Sequence, residues 1–159
     1  MKHIYEDLTK SLAVFLLTGV AVGVSTFLGL KYIDAIGGFG STIELEATAM
    51  IVMVAISSFF ISPIISGLTG LYIGYYEPDR GQTVAFSTFG SFLGFFSLNI
   101  VAIGTMLLLL GEALTPSNLA DPATVFQSFV VLENQAAFLS FPSVITGLSA
   151  GYLGSDLTE

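Results

Sequence analysis

The chain has 159 residues, 53% of them hydrophobic and only 10% charged, against about 25% charged in an ordinary soluble domain. So short a chain cannot hide that much apolar surface from water, which excludes a conventional soluble fold and points to a bilayer. Against 12 acidic residues stand 4 basic ones, a net charge of −8; nothing here neutralises phosphates, so nucleic-acid binding is excluded as well.

The acidic balance also bears on the surroundings. Membrane proteins ordinarily carry enough Lys and Arg at the cytoplasmic face to offset such a charge. A strongly acidic solvated surface suits molar salt, where screening acts within about 3 Å. A halophilic source is the expectation; an ordinary acidic small membrane protein is the plainer alternative.

Residues 1–10 are polar and include Lys2, His3, Glu6, Asp7 and Lys10. Residues 11–30 then run without a charge, about the 20 residues that a ~30 Å hydrocarbon core requires. A basic segment before an apolar one is also how a signal peptide begins. No clear small-x-small cleavage site follows, however, and the run is long for a signal core. Val20-Ala21-Val22-Gly23 is moreover echoed by Val101-Ala102-Ile103-Gly104, so the run is expected to be a first transmembrane helix.

Residues 31–46 are expected to be a loop, broken by Gly37, Gly38 and Gly40. Its Ser41-Thr42-Ile43-Glu44 has the form of a capping box for the next helix. The second uncharged run, 47–76, exceeds one perpendicular crossing and should tilt, project, or kink at Pro63. Tyr72, Tyr75 and Tyr76 close it where an aromatic belt belongs. Residues 77–81 hold Pro78 and Gly81 around charged neighbours, a tight polar turn that makes helices two and three an antiparallel hairpin.

The third run, 83–111, carries Asn99 near its middle. After a loop at 112–121, Asp121-Pro122 reads as an N-cap followed by Pro at the first helical position. Residues 123–132 are apolar at roughly helical spacing and either lie on the membrane surface or extend helix four. Glu133-Asn134-Gln135 interrupts them, and helix four proper is expected over about 136–155.

Ser66-Gly67-Leu68-Thr69-Gly70-Leu71-Tyr72-Ile73-Gly74 recurs without a gap as Thr146-Gly147-Leu148-Ser149-Ala150-Gly151-Tyr152-Leu153-Gly154, with Pro63 and Pro142 just upstream. The expected fold is therefore all-α: one polytopic domain over 1–159, four transmembrane helices as two tandem hairpins, with an internal repeat of about 11–76 and 83–155. Four crossings put both termini on one side. Lys2, Lys10 and Arg80 share that side and Lys31 faces the other, which predicts cytoplasmic termini.

Small residues recur at helical spacing in every run. Gly19 and Gly23, Gly70 and Gly74, Gly90 and Gly94, and Gly147 and Gly151 form one Gly-x-x-x-Gly apiece, the spacing that lets helix backbones approach closely in lipid. Ser62, Ser66 and Ser143 extend these faces, which serve packing inside the monomer, contact with another chain, or both. Pro63 and Pro142 free carbonyls that Ser62, Ser66, Ser143 and Thr146 are placed to help satisfy. Paired interrupted helices also occur at transport sites, but these runs hold no ionisable residue. Asn99 is expected to make an interhelical hydrogen bond.

Enzyme chemistry has no support: there is no Cys, the one His is His3, and no His–carboxylate pair, metal-ligand cluster or haem ligand is present. No cofactor is expected. The repeated glycine segments, with the charged turn at Arg80-Gly81, resemble small Gly-rich four-helix membrane proteins of halophilic archaea. That resemblance implies a membrane fold and no activity or site residue. Small membrane proteins of haloarchaeal pleomorphic virions are similar in size and helix count, so a virion membrane is the alternative location to a cell membrane. The reading is a non-enzymatic integral membrane protein, a structural or accessory subunit packing into a homo-oligomer or larger membrane complex. The alternative is a small channel or carrier with a hydroxyl-lined path between helices two and four.

Overall fold

The computed structural model describes residues 2–35, 43–76, 79–110 and 122–157, and the side chains of 6–33, 52–76, 79–106, 108–109 and 138–157. These residues form four helices and no strand: α1 Lys2–Ala35, α2 Ile43–Tyr76, α3 Arg80–Leu110 and α4 Pro122–Asp156. At about 1.5 Å per residue, each is longer than a ~30 Å hydrocarbon layer. Three stretches, Glu6–Ile33, Val52–Tyr76 and Arg80–Met106, are long and apolar enough to cross a membrane.

The helices overrun the apolar runs. α1 continues through Lys31 to Ala35 and α2 begins at Ile43, both within the stretch expected as loop. A charge marks where a chain leaves an apolar layer; it does not end a helix, and no Gly or Pro intervenes until Gly37. Gly37, Gly38, Gly40 and the first half of the capping box, Ser41 and Thr42, lie outside the described residues. α4 likewise runs unbroken from Pro122 through Glu133-Asn134-Gln135, so 123–132 extends helix four. Glu and Gln are good helix formers, and polar side chains leave the backbone ladder intact.

Pro122 stands at the first helical position, as expected. Asp121, its expected cap, and Glu77 and Pro78 of the expected turn lie outside the described residues. α3 has a defined start: Asp79 Oδ1 accepts from the backbone nitrogens of Gly81 at 2.9 Å and Gln82 at 3.2 Å, satisfying two of the donors a helix start leaves open. Pro63 and Pro142 lie inside continuous helices.

α1 packs on α3 and α2 on α4, while α3 also touches α2 and α4, and α1 touches α2. Among the described residues α1 and α4 do not meet, so α2 and α3 form the short diagonal of the bundle. Contacts fix the directions. Gly19 faces Leu98 and Gly23 faces Ala102, so α1 and α3 are parallel; Gly70 faces Gly147 and Gly74 faces Gly151, so α2 and α4 are parallel. Gly147 faces Ser91 and Gly151 faces Ser87, so α3 and α4 are antiparallel.

Polar contacts tie one end of the bundle. Tyr72 Oη donates to Asp7 Oδ1 at 3.4 Å, joining the end of α2 to the start of α1. Arg80 pairs with Asp156 and lies over the Tyr152 ring, 3.9 Å from its centroid, joining the start of α3 to the end of α4. Both groups of the ion pair are partly exposed, so it contributes little by Coulomb attraction alone. Its geometry still favours one register. Tyr72, Tyr75 and Tyr76 are exposed at this same end.

The interior mixes apolar plugs with hydroxyls. Phe15, Ile65 and Leu98 form one apolar cluster, and Val22, Leu30, Val54, Ala102 and Met106 another. Leu17, Phe60, Ile64, Leu68, Phe138 and Ile145 point outward. Phe15 is 0% exposed whereas Leu17 is 72% exposed. Phe15→Ala should therefore cost about 3–5 kcal/mol of stability, and Leu17→Ala less than about 0.5 kcal/mol. Denaturant unfolding in detergent compares the two, and equal losses would show that Phe15 is not a core plug.

Candidate functional site

The residues singled out by spacing meet along two seams. In the first, α2 lies on α4. A methyl group built on Gly70 would lie 2.6 Å from the Gly147 carbonyl oxygen and 3.1 Å from Ala150 Cβ. One built on Gly74 would overlap the Gly151 carbonyl oxygen and come within 2.9 Å of Gly154 Cα and Ser155 N. From the other side, one on Gly154 would lie 2.7 Å from the Leu71 carbonyl oxygen and 3.0 Å from Gly74 Cα. Gly74 and Gly154 thus hold each other reciprocally. Because they occupy equivalent places in the repeated segment, the two copies touch through matching positions.

In the second seam α1 lies on α3. Gly19 faces the Leu98 carbonyl oxygen, 2.7 Å from where a methyl would sit, and Gly23 faces that of Ala102. Gly90 and Gly94 serve the same helix pair differently: Gly90 makes room for Leu8, and Gly94 for the ring of Phe15. Gly19 and Gly23 therefore do not meet Gly90 and Gly94.

At Gly19, Gly23, Gly70, Gly74 and Gly154 the nearest atom opposite is a carbonyl oxygen. The recurrence suits Cα–H···O contacts, worth about 0.5–1 kcal/mol each. Close packing of two backbones adds dispersion from many atom pairs, each small. No side chain larger than hydrogen permits either.

Gly147 and Gly151 do double duty. Their carbonyls receive α2, while their Cα faces receive α3, where Ser91 and Ser87 rest against them and Thr83 approaches Gly151. Thr83, Ser87 and Ser91 are buried and recur every fourth residue. Sequence reasoning missed this stripe because on this helix it read only the glycines, although the same small-residue spacing was there to read. It also missed the Arg80–Tyr152–Asp156 contact.

The buried polar side chains among the described residues are all Ser or Thr. Ser58, Ser62 and Ser66 follow one stripe of α2, and all three are 0% exposed. Ser143 Oγ donates to Ser62 Oγ at 2.7 Å, a side-chain bond that joins α2 to α4. The hydroxyls expected to satisfy the carbonyls freed by proline do otherwise. Thr146 Oγ1 donates to the carbonyl of Pro142 itself at 2.6 Å, Ser143 is turned to Ser62, and Ser66 Oγ has no partner. Ser58 Oγ and Ser91 Oγ are also without partners. Asn99, expected to bond across helices, instead donates through Nδ2 to the Phe95 carbonyl of its own helix at 2.8 Å. A four-residue step places that acceptor within easy reach.

A direct contest of magnitudes tests the first seam. Alanine in place of a helical glycine gains up to about 1 kcal/mol of helix propensity. At Gly74 the added methyl would meet backbone, which cannot move aside cheaply, so Gly74→Ala should be net destabilising. Gly147→Leu should cost roughly 1–3 kcal/mol, and Ala85→Leu, at an exposed position, close to nothing. Thermal unfolding of the purified variants measures all three; a stabilised Gly74→Ala would show that the α2–α4 backbones are not in contact.

No family model matches the chain, and neither does any curated protein or solved structure.

Proposed function

We propose that the chain is a four-span integral membrane protein built as two tandem helical hairpins, acting without catalysis as a structural or accessory subunit of a homo-oligomer or larger membrane complex. In this reading α4 is the fourth span. Both termini and Arg80 face the cytoplasm, as the bias of basic residues favours, and the surplus of acidic groups is an adaptation to high salt.

The observation that carries the subunit role is glycine without an internal use. Gly29 of α1 and Gly104 of α3 lie in helix interiors, and among the described residues nothing stands within 4 Å of where their methyls would be. A helical glycine costs up to about 1 kcal/mol relative to alanine. Elsewhere in this bundle that cost is offset by close packing; at Gly29 and Gly104 the described residues offer no such return. On α1, Ala21 and Ser25 precede Gly29 at four-residue steps and are exposed, continuing a narrow small-residue face suited to another helix.

The test is extraction from native membrane in mild detergent at molar salt. The chain should elute as an assembly, with itself or with a stoichiometric partner, and Gly29→Leu should release a folded single chain. Lowering salt to about 0.1 M, where the Debye length grows to ~10 Å, should loosen the assembly. A single chain under every condition would overturn the proposal.

The second reading, a channel or carrier between α2 and α4, draws on the buried hydroxyls of Ser58, Ser62, Ser66 and Ser143. Weighing against it, Ser62 and Ser143 bond to each other, and beyond them Gly70 and Gly74 bring backbone against backbone. An ion path also needs charged side chains or ordered carbonyl rings in place of hydration. Liposomes holding the protein should show no ion or small-solute flux above empty vesicles. Reproducible flux lost in Ser66→Leu or Thr146→Leu, with folding intact, would establish the channel instead.

A further inference from the structure

We infer that the stripe Ser58–Ser62–Ser66 of α2 is a closed binding site for ordered water, one molecule bridging Ser58 to Ser62 and a second bridging Ser62 to Ser66. Two of its three hydroxyl oxygens, Ser58 Oγ and Ser66 Oγ, are fully buried without a hydrogen-bond partner. A buried hydroxyl left unpaired has given up its hydrogen bonds to water without replacement, and two on one stripe are a substantial loss for so small a protein.

The spacing fits water. Residues four apart on a helix have Cβ atoms about 5–6 Å apart. A water hydrogen-bonded to two hydroxyls at about 2.8 Å each, at its near-tetrahedral angle, joins oxygens about 4.5 Å apart, within reach of serine oxygens that lean toward each other from such Cβ positions. One molecule therefore bridges each step, whereas two serines at this separation cannot bond directly. The middle serine has the capacity to serve both bridges. Ser62 Oγ accepts from Ser143 Oγ at 2.7 Å, which leaves it one donor for one water and one lone pair for the other.

The alternative for a helical hydroxyl is its own backbone. Thr18, Thr69, Thr88 and Thr146 each donate to the carbonyl four residues back. Ser58 and Ser66 do not. Ser91 is a different case, since its oxygen rests against Gly147 on α4. Pro63 lies within this stretch and supplies no N–H to the Phe59 carbonyl, adding an acceptor to the same turns.

The same stripe is stopped at both ends. One turn before Ser58 stands Val54, 0% exposed, and one turn after Ser66 stands Gly70, set against the Gly147 backbone. The site therefore holds water without conducting it. A cation is disfavoured as occupant, because the buried polar side chains described here are all Ser or Thr and none brings a charge.

The experiment is water-to-protein magnetisation transfer by NMR on the isotope-labelled full chain in lipid nanodiscs, with water itself as the probe. Phe15 and Leu98, both 0% exposed, are the dry references. The expected result is transfer to Ser58, Ser62 and Ser66 several-fold above those references. In Ser66→Ala the signal at Ser62 should fall by about half while Ser58 keeps its own. Transfer at Ser58 and Ser66 no greater than at Phe15 and Leu98 would overturn the inference, and that comparison needs no variant to fold. The vesicle flux measurement bears on the channel reading alone, so the two results are separable.

Discussion

Two α-helices bring their backbones into contact where at least one of them presents hydrogen at the crossing, and the bundle depends on meeting that condition twice. Gly70, Gly74 and Gly154 meet it between α2 and α4; Gly19 and Gly23 meet it between α1 and α3. An outer surface rich in Leu, Ile and Phe gains nothing by turning inward if its surroundings are apolar too. What remains to favour one arrangement is shape: dispersion across a close contact, and Cα–H groups aimed at carbonyls. Both vanish with a fraction of an ångström of separation. The glycines are therefore few in alternatives, whereas the Leu and Phe residues outside are many.

The hydroxyls follow from the same condition. Where glycine faces glycine, no space is left; where it faces serine, as Gly147 and Gly151 face Ser91 and Ser87, the second helix fills it with one small polar group. Serine costs less volume than any apolar residue larger than alanine, at the expense of an oxygen that must be satisfied. The bond from Ser143 to Ser62 settles one such oxygen across the α2–α4 seam. Ser58 and Ser66 carry the same obligation with no protein group to meet it, which is where the inferred water enters.

Much of the site was legible in residue spacing. Gly70, Gly74, Gly147 and Gly151 were visible as small residues four apart, and the structure brings these four together. Spacing could not tell which face of α4 meets which helix, because Gly147 and Gly151 offer carbonyls to α2 and Cα hydrogens to α3. Nor could it distinguish Gly90 and Gly94, which accept the side chains Leu8 and Phe15, from Gly19 and Gly23, which accept a backbone. The stripe Thr83–Ser87–Ser91 was equally regular but polar, and the reading of α3 stopped at its glycines. Asn99 was read as reaching between helices because its amide is costly to leave unmet; its own helix met it first, through Phe95.

By itself the sequence determined the helical class and the places where helices had to be narrow. Hydropathy is a property of each segment summed over its own residues, and small-residue spacing is a property of one helix face, so both survive without knowledge of any neighbour. The exact ends of α1 and α2 did not follow, since charged residues limit an apolar run without limiting a helix. Only the tertiary structure decided the pairing of α1 with α3 and α2 with α4, the diagonal contact of α2 with α3, and the separation of α1 from α4. Those choices are made between surfaces, by how closely one set of backbones fits another, and no single segment contains that information.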